Sequence, residues 1–180
     1  MASSTGYLDW PFFSASHREL AGRLREWAAE RLAGPATHED RDSVDSACRQ
    51  LVRDLGRAGW THYCAPGQGA HGNTGSGQTG FDVRSLALIR ETLARHDALA
   101  DFAFAMQGLG SGAISLAGSP ELKARYLPGV VAGEAIAAFA LSEPDAGSDV
   151  AASTTKAVIP SAEVVPSGRT WALLVRANTQ

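Results

Sequence analysis

Residues Phe139 to Ala152 read FALSEPDAGSDVAA, and the rest of the chain is arranged around them. A short apolar lead-in (Ile136, Ala137, Ala138, Phe139, Ala140, Leu141) runs into Ser142, Glu143 and Pro144, then into Ala146-Gly147-Ser148-Asp149. A chain that leaves an apolar run in this way presents hydroxyls and backbone N–H groups at the mouth of a core. Such a loop suits a polar, phosphate-bearing ligand held against an apolar wall. Before this stretch the sequence reads as helix; after it the pattern changes.

Working back from the loop, Ser119-Pro120-Glu121 is a helix start: a capping Ser, Pro at the first position and an acid in the first turn. That short helix carries Leu122, Tyr126 and Leu127 and is bounded or kinked by Pro128-Gly129. Ala98 to Ala117 is apolar nearly all round, interrupted strongly only by Asp101 and Gln107. It predicts one helix, or two pieces broken near Gly108-Leu109-Gly110, placed in a core or against an apolar ligand. Each of Gly108, Gly110 and Gly112 costs roughly 1 kcal/mol of helix stability relative to Ala. They make sense where something approaches the backbone, or where helices pack closely.

Three more helices are expected upstream. Leu20, Leu24, Trp27, Ala28 and Leu32 recur at helical spacing after a capping Ser14 or Ser16. Val44, Ala47, Cys48, Leu51, Val52 and Leu55 form one stripe from about Asp42 to Ala58, with Gly59 as its stop. Leu86, Ile89 and Leu93 mark the buried face of a helix from Asp82 to about His96, and Glu91 and Arg95 are spaced to pair on its outside. Residues 1–13, with Tyr7, Trp10, Phe12 and Phe13, read as a docked arm. His17 and His38 are expected at the surface, and Cys48 as a buried thiol. Gly67, Gly69 and Gly72 spell a literal G-x-G-x-x-G, but no strand precedes it and no helix follows, so a dinucleotide fold is not expected. His62 and His71 lack a third partner at ligand spacing, so no metal is expected.

Composition sets the outer bounds. With 180 residues and 44% apolar content, the chain can bury a core and should form one domain or one plus a fragment. A net charge of −3 without a basic block argues against nucleic acid or an anionic membrane as the main partner. Met1 to Pro11 lacks a basic start and a long apolar run, so no signal peptide is expected, and no stretch is long enough to span a bilayer. A cytoplasmic setting is the expectation.

Ala140-Leu141-Ser142-Glu143-Pro144-Asp145-Ala146-Gly147-Ser148-Asp149-Val150-Ala151-Ala152 resembles the flavin-binding signature of the acyl-CoA dehydrogenases, with each restricted position filled. The likeness extends back to about Asp42 and includes Lys123 and Tyr126-Leu127-Pro128. It implies a mainly α fold: an antiparallel helical domain over residues 14–133 behind the arm 1–13, with the beginning of a small β domain in 134–180. It implies FAD as cofactor and an acyl-CoA thioester as substrate. A glutamate takes the proton alpha to the carbonyl, the beta carbon delivers hydride to flavin N5, and the product is the 2,3-enoyl-CoA. Electron-transfer flavoprotein or a similar acceptor, and a homo-oligomer, complete the implied partners.

By the same resemblance Phe139, Ala140, Leu141, Ser142, Gly147 and Ser148 line the FAD. Phe139 packs near the ring. Leu141 and Ser142 hydrogen-bond its pyrimidine edge, Gly147 lets the backbone come close, and Ser148 reaches a phosphate or the acyl-CoA. Glu143 takes a structural place and Asp149 closes a turn, so no catalytic residue is assigned. The resemblance also puts Leu99 to Leu116 at the acyl-chain pocket.

The likeness fades after Ala152. Gly168-Arg169-Thr170-Trp171 only faintly echoes a second flavin motif, and Trp171 is better read as a core residue. Full-length members continue into a C-terminal helical bundle that carries the base. The expectation is therefore a truncated or frame-shifted product, with weak or absent FAD retention and no turnover by itself. Two other readings compete: a non-catalytic helical interaction module using the apolar face of Leu99 to Leu116, and a related flavin-dependent acyl-CoA oxidase or monooxygenase.

Overall fold

A computed structural model describes residues 6–32, 40–65 and 80–154. Within them lie α1 (Ala15–Arg31), α2 (Arg41–Arg57), α3 (Val83–His96), α4 (Ala98–Ala117) and α5 (Pro120–Val131), with short 3-10 turns at Gly6–Asp9, Trp60–Cys64 and Val150–Ala152. The expected mainly helical architecture is thus what forms. The glycine-rich stretch with Gly67, Gly69 and Gly72, His38, His71, and residues 155–180 with Trp171 lie outside the described residues.

The helices begin where short polar side chains can satisfy their first amides. Asp40 accepts from Ser43 N at 2.8 Å, Asp82 from Arg84 N at 3.1 Å and Asp97 from Leu99 N at 2.8 Å. Ser119 accepts from Leu122 N at 3.3 Å, with Pro120 at the first helical position. Each such cap contributes about 1 kcal/mol. Asp97 serves twice, because its own N–H donates to Leu93 O at 2.8 Å and so closes α3 while its carboxylate opens α4.

Helix α4 is the hub. It packs on α2, α3, α5 and the Trp60–Cys64 turn, while α3 lies between it and α1. Leu20, Leu24, Leu55, Ile89, Leu93 and Phe104 fill the shared core. α4 runs unbroken through Gly108 and Gly110, although a break there was one expectation. Packing on four neighbours outweighs the roughly 1 kcal/mol that each glycine costs. Helix α5 likewise continues past Pro128 to Val131.

Two sequence expectations need correction. His17 is not a surface residue: it is 3% exposed. Its Nδ1 accepts from the Ser14 backbone N–H at 3.0 Å, and its Nε2 lies 2.8 Å from Asp82 Oδ2, so both ring nitrogens are satisfied in the interior. Cys48 is half-buried, and of the two thiols it is Cys64 that lies in the core, where burial pushes it up to about 12. The apolar stripe of α2 forms as expected, buried at Val52 and Leu55 and half-buried at Val44, Ala47, Cys48 and Leu51.

The described part of the arm, residues 6–13, docks as expected. Leu8 is buried, Tyr7 and Phe13 pack on the core, and Arg18 donates to Leu8 O at 3.2 Å and Phe13 O at 2.8 Å. Tyr7 donates to Glu91 Oε2 at 2.6 Å, and Glu91 also takes Arg95 at 2.6 Å, the expected i, i+4 pair.

At the other end α5 stops at Gly133, whose φ of 71° lies in the left-handed region. A Cβ there would collide with Val52 O, so the sharp exit and the close approach to α2 both call for glycine. Residues 134–154 then run without a strand; Glu143 and Ala146 form one isolated antiparallel bridge.

Candidate functional site

The segment leaving α5 is laid along α4. Ala137 N donates to the Gln107 side-chain oxygen at 2.7 Å, and the Gln107 amide donates to Ala135 O at 3.0 Å. One turn along α4, Gly110 leaves room: a Cβ there would sit 2.6 Å from Ala138 N. So at Gly110 the group that approaches the helix backbone is the chain's own segment. Gly108 faces the Cys64 side chain, while a Cβ at Gly112 would meet open space.

Beyond Ala138 the chain turns outward. Phe139 is 45% exposed, Ala140 and Ser142 are exposed, and Leu141 is half-buried. Among the described residues, the backbone groups of 138–142 make no hydrogen bond to one another or to the helices. The turn that follows is closed on itself. Glu143 N donates to Ala146 O at 2.9 Å, Ala146 N returns to Glu143 O at 3.2 Å, and Ala146 is buried beneath it.

Glu143 has a structural task in this arrangement. Its Oε2 accepts from Thr154 N at 2.7 Å and Thr154 Oγ1 at 3.0 Å, which ties the two ends of the loop together. Asp149 accepts from Ala151 N at 3.1 Å and starts the Val150–Ala152 turn. Both acids are therefore spent on holding the loop's shape. Gly147 and Ser148 lie exposed between them, and among the described residues nothing but its chain neighbours stands within 4 Å of where a Gly147 Cβ would be.

The arrangement fits an extended planar ligand with a polar edge. An exposed aromatic, a run of backbone N–H groups, two hydroxyls and an open glycine lie within ten residues, from Phe139 to Ser148. An apolar surface accompanies them on α4: Phe102, Leu109 and Leu116, seven residues apart, are 54%, 49% and 70% exposed. That spacing places them in one row on the helix.

A second polar cluster joins α1 to α3. Ser14 Oγ lies 2.6 Å from His17 Nδ1, and His17 Nε2 lies 2.8 Å from Asp82 Oδ2. The residue types are those of a hydrolytic triad, but the geometry is that of a joint. Nδ1 already accepts the Ser14 backbone N–H, so it is poorly placed to take the hydroxyl proton. Asp82 also accepts from Ser85 Oγ at 2.9 Å and from Arg84. Burial would raise its carboxyl, but the hydrogen bonds from His17 and Ser85 outweigh this and hold it below its ordinary value.

Residue spacing gives no hint of Gln107, whose partners lie 23 to 30 positions away. The available signal is chemical: a lone amide on an otherwise apolar helix must find partners wherever it is buried.

The family model described as "Acyl-CoA dehydrogenase, N-terminal domain" matches residues 14–134, and the chain belongs to the acyl-CoA dehydrogenase family. A "Probable acyl-CoA dehydrogenase" of Mycobacterium leprae is 33% identical over 144 residues, 78% of this chain and 34% of that protein. The rat mitochondrial very long-chain specific acyl-CoA dehydrogenase is 31% identical over 157 residues, 87% of this chain and 22% of that protein. A Bacillus subtilis "Probable acyl-CoA dehydrogenase" is 44% identical over 86 residues, 48% of this chain and 14% of that protein. The matches thus span about a third of the length of these relatives at most.

Proposed function

We propose that residues 139–148 seat the isoalloxazine ring and diphosphate of FAD, in a protein that oxidises an acyl-CoA thioester to its 2,3-enoyl-CoA. The observation that carries this reading is the pairing of backbone N–H groups at 138–142, uncommitted among the described residues, with the half-exposed ring of Phe139. When bound, the flavin supplies the hydride acceptor, and the protein orients and shields it. Phe139 packs against the ring. The Leu141 and Ser142 amides and the Ser142 hydroxyl donate to its pyrimidine edge, where negative charge develops. Gly147 leaves space for the phosphates, and Ser148 donates to a phosphate or to the acyl-CoA.

No residue of this chain is assigned as the base. Glu143 and Asp149, the acids that frame the loop, hold Thr154 and Ala151. The proton alpha to the thioester carbonyl therefore falls to a group outside the set named here. The division into an arm (1–13), a helical domain (14–133) and an entry into a β domain (134–180) belongs to the same proposal. So do the acyl-chain pocket beside Leu99–Leu116, an electron-transfer flavoprotein as acceptor and a homo-oligomeric assembly.

Titration of the chain with FAD, read as quenching of flavin fluorescence, tests this reading. Saturable but weak binding is expected, with flavin lost on gel filtration and no dye reduction by acyl-CoA. Absence of saturable binding contradicts the proposal. The exposed row Phe102, Leu109, Leu116 supports a second reading, a non-catalytic helical module that binds a partner chain. In that case the titration stays flat while a partner buries the row.

A further inference from the structure

We propose that Gln107 is the positioning residue of the flavin loop: its side-chain amide sets where the chain enters Phe139–Ser142. The claim rests on the flavin reading for its purpose, but its geometry stands apart from any ligand. Gln107 has no exposed surface. Its Nε2 donates to Ala135 O at 3.0 Å and, more loosely, to Val130 O at 3.4 Å. Its Oε1 accepts from Ala137 N at 2.7 Å. Two carbonyls on one side of the amide and an N–H on the other leave only this orientation of the group.

The carbonyl of one residue and the amide of the second residue along are the groups that a neighbouring parallel strand engages with a single residue. Gln107 therefore does from a helix what a strand would do from a sheet. It holds 135–137 in place where the described residues provide no strand to pair with. Gly110 completes the seat on the same helical face, three residues on. A side chain there would meet Ala138 N at 2.6 Å and Ala138 O at 2.8 Å, so the segment can lie flat on α4 only over a glycine. Ala137 is buried between the exposed side chain of Ile136 and that of Phe139, two residues on. The anchor thus ends one residue before the proposed ring contact begins.

The test uses the whole chain and three variants. Gln107→Met keeps the bulk and removes both hydrogen-bonding functions. Backbone amide exchange at Ala137, measured without flavin, should speed up roughly tenfold or more, and FAD affinity should fall by a similar factor. Amides in α3 should exchange as in the wild type. Gln107→Glu supplies a signature that loss of packing does not mimic. Its carboxylate faces the Ala135 and Val130 carbonyls without a proton to donate, whereas the protonated acid restores the donor. Protection at Ala137 and FAD affinity should therefore recover as pH falls through the carboxyl's titration, relative to the wild type at each pH. If Gln107→Met does not fold, Gly110→Ala displaces the segment with the amide intact and should weaken FAD similarly. Unchanged Ala137 exchange, or unchanged FAD affinity after Ala137 is released, overturns the anchor. A wild-type chain that binds no FAD removes the flavin reading instead, whatever Ala137 does, so the two failures are distinct.

Discussion

The helical body over 15–131 and the segment over 134–154 are held in opposite ways. In the body, Leu24, Leu55, Ile89, Leu93 and Phe104 share one closed core, and α2 to α5 each start on a side-chain cap. The segment has almost no core of its own. Ala137 and Ala146 are its buried apolar side chains, and its course is set by Gln107, Gly110 and the Glu143–Thr154 bond. Stability and the proposed ligand chemistry are thereby separated: apolar area holds the scaffold, while among the described residues the backbone groups of 138–142 stay uncommitted.

That separation can be broken first in the core. Phe104→Ala should cost roughly 3–5 kcal/mol in urea unfolding, because the side chain is buried among α2, α3 and α4. A loss under about 1 kcal/mol would mean the body is not organised around α4.

Next comes the α1–α3 joint. Asp82→Ala leaves His17 and Ser85 without their shared acceptor and should cost roughly 1–3 kcal/mol. The pH dependence has a definite sign. Burial raises Asp82 and Glu91, but hydrogen bonds from His17 and Ser85, and from Tyr7 and Arg95, bring both below their ordinary values. Each therefore contributes stability that is present above the unfolded-state pKa, about 4, and is lost as pH falls through the lower folded-state value. Tyr7 runs the other way. Burial and then Glu91 push it up to about 12, so its contribution is complete below the unfolded-state value near 10 and lost as pH rises through about 12. Acid and alkaline unfolding curves of Asp82→Asn and Tyr7→Phe should flatten on the acid and alkaline sides respectively. Ser142→Ala, which removes no titratable group, should change neither limb.

Smaller again is the loop clamp. Glu143→Ala should change global stability by under about 1 kcal/mol while hastening proteolytic cleavage between 143 and 154. Equal cleavage rates would show that Thr154 does not hold the loop. The smallest stability effect belongs to Ser142→Ala, within about 0.5 kcal/mol. Its FAD affinity should still fall severalfold, and a thermal shift as large as that of Asp82→Ala would erase the contrast between body and segment.

Much of the body was legible because it obeys local rules. The apolar spacing of α1 and α3, the Ser119-Pro120-Glu121 start and the Glu91–Arg95 pair each involve residues a few positions apart. What was not legible depends on distant partners. His17 looks like a surface residue until Asp82, 65 positions away, meets its ring. Gly110 and Gln107 look like flaws in an apolar helix until Ala135 to Ala138 lie against them. The loop shows both cases. Its composition announced a polar, glycine-opened turn, but that Glu143 spends its carboxylate on Thr154 is a tertiary fact.

The central claim is that the backbone amides after Ala137 wait for a flavin. Site-resolved amide exchange over 138–148, with and without saturating FAD, measures this most directly. The account predicts slowed exchange at Leu141 and Ser142 on adding FAD, with α1 and α3 unchanged. Saturable FAD binding that leaves those amides as fast as before, or that protects another surface instead, would contradict it.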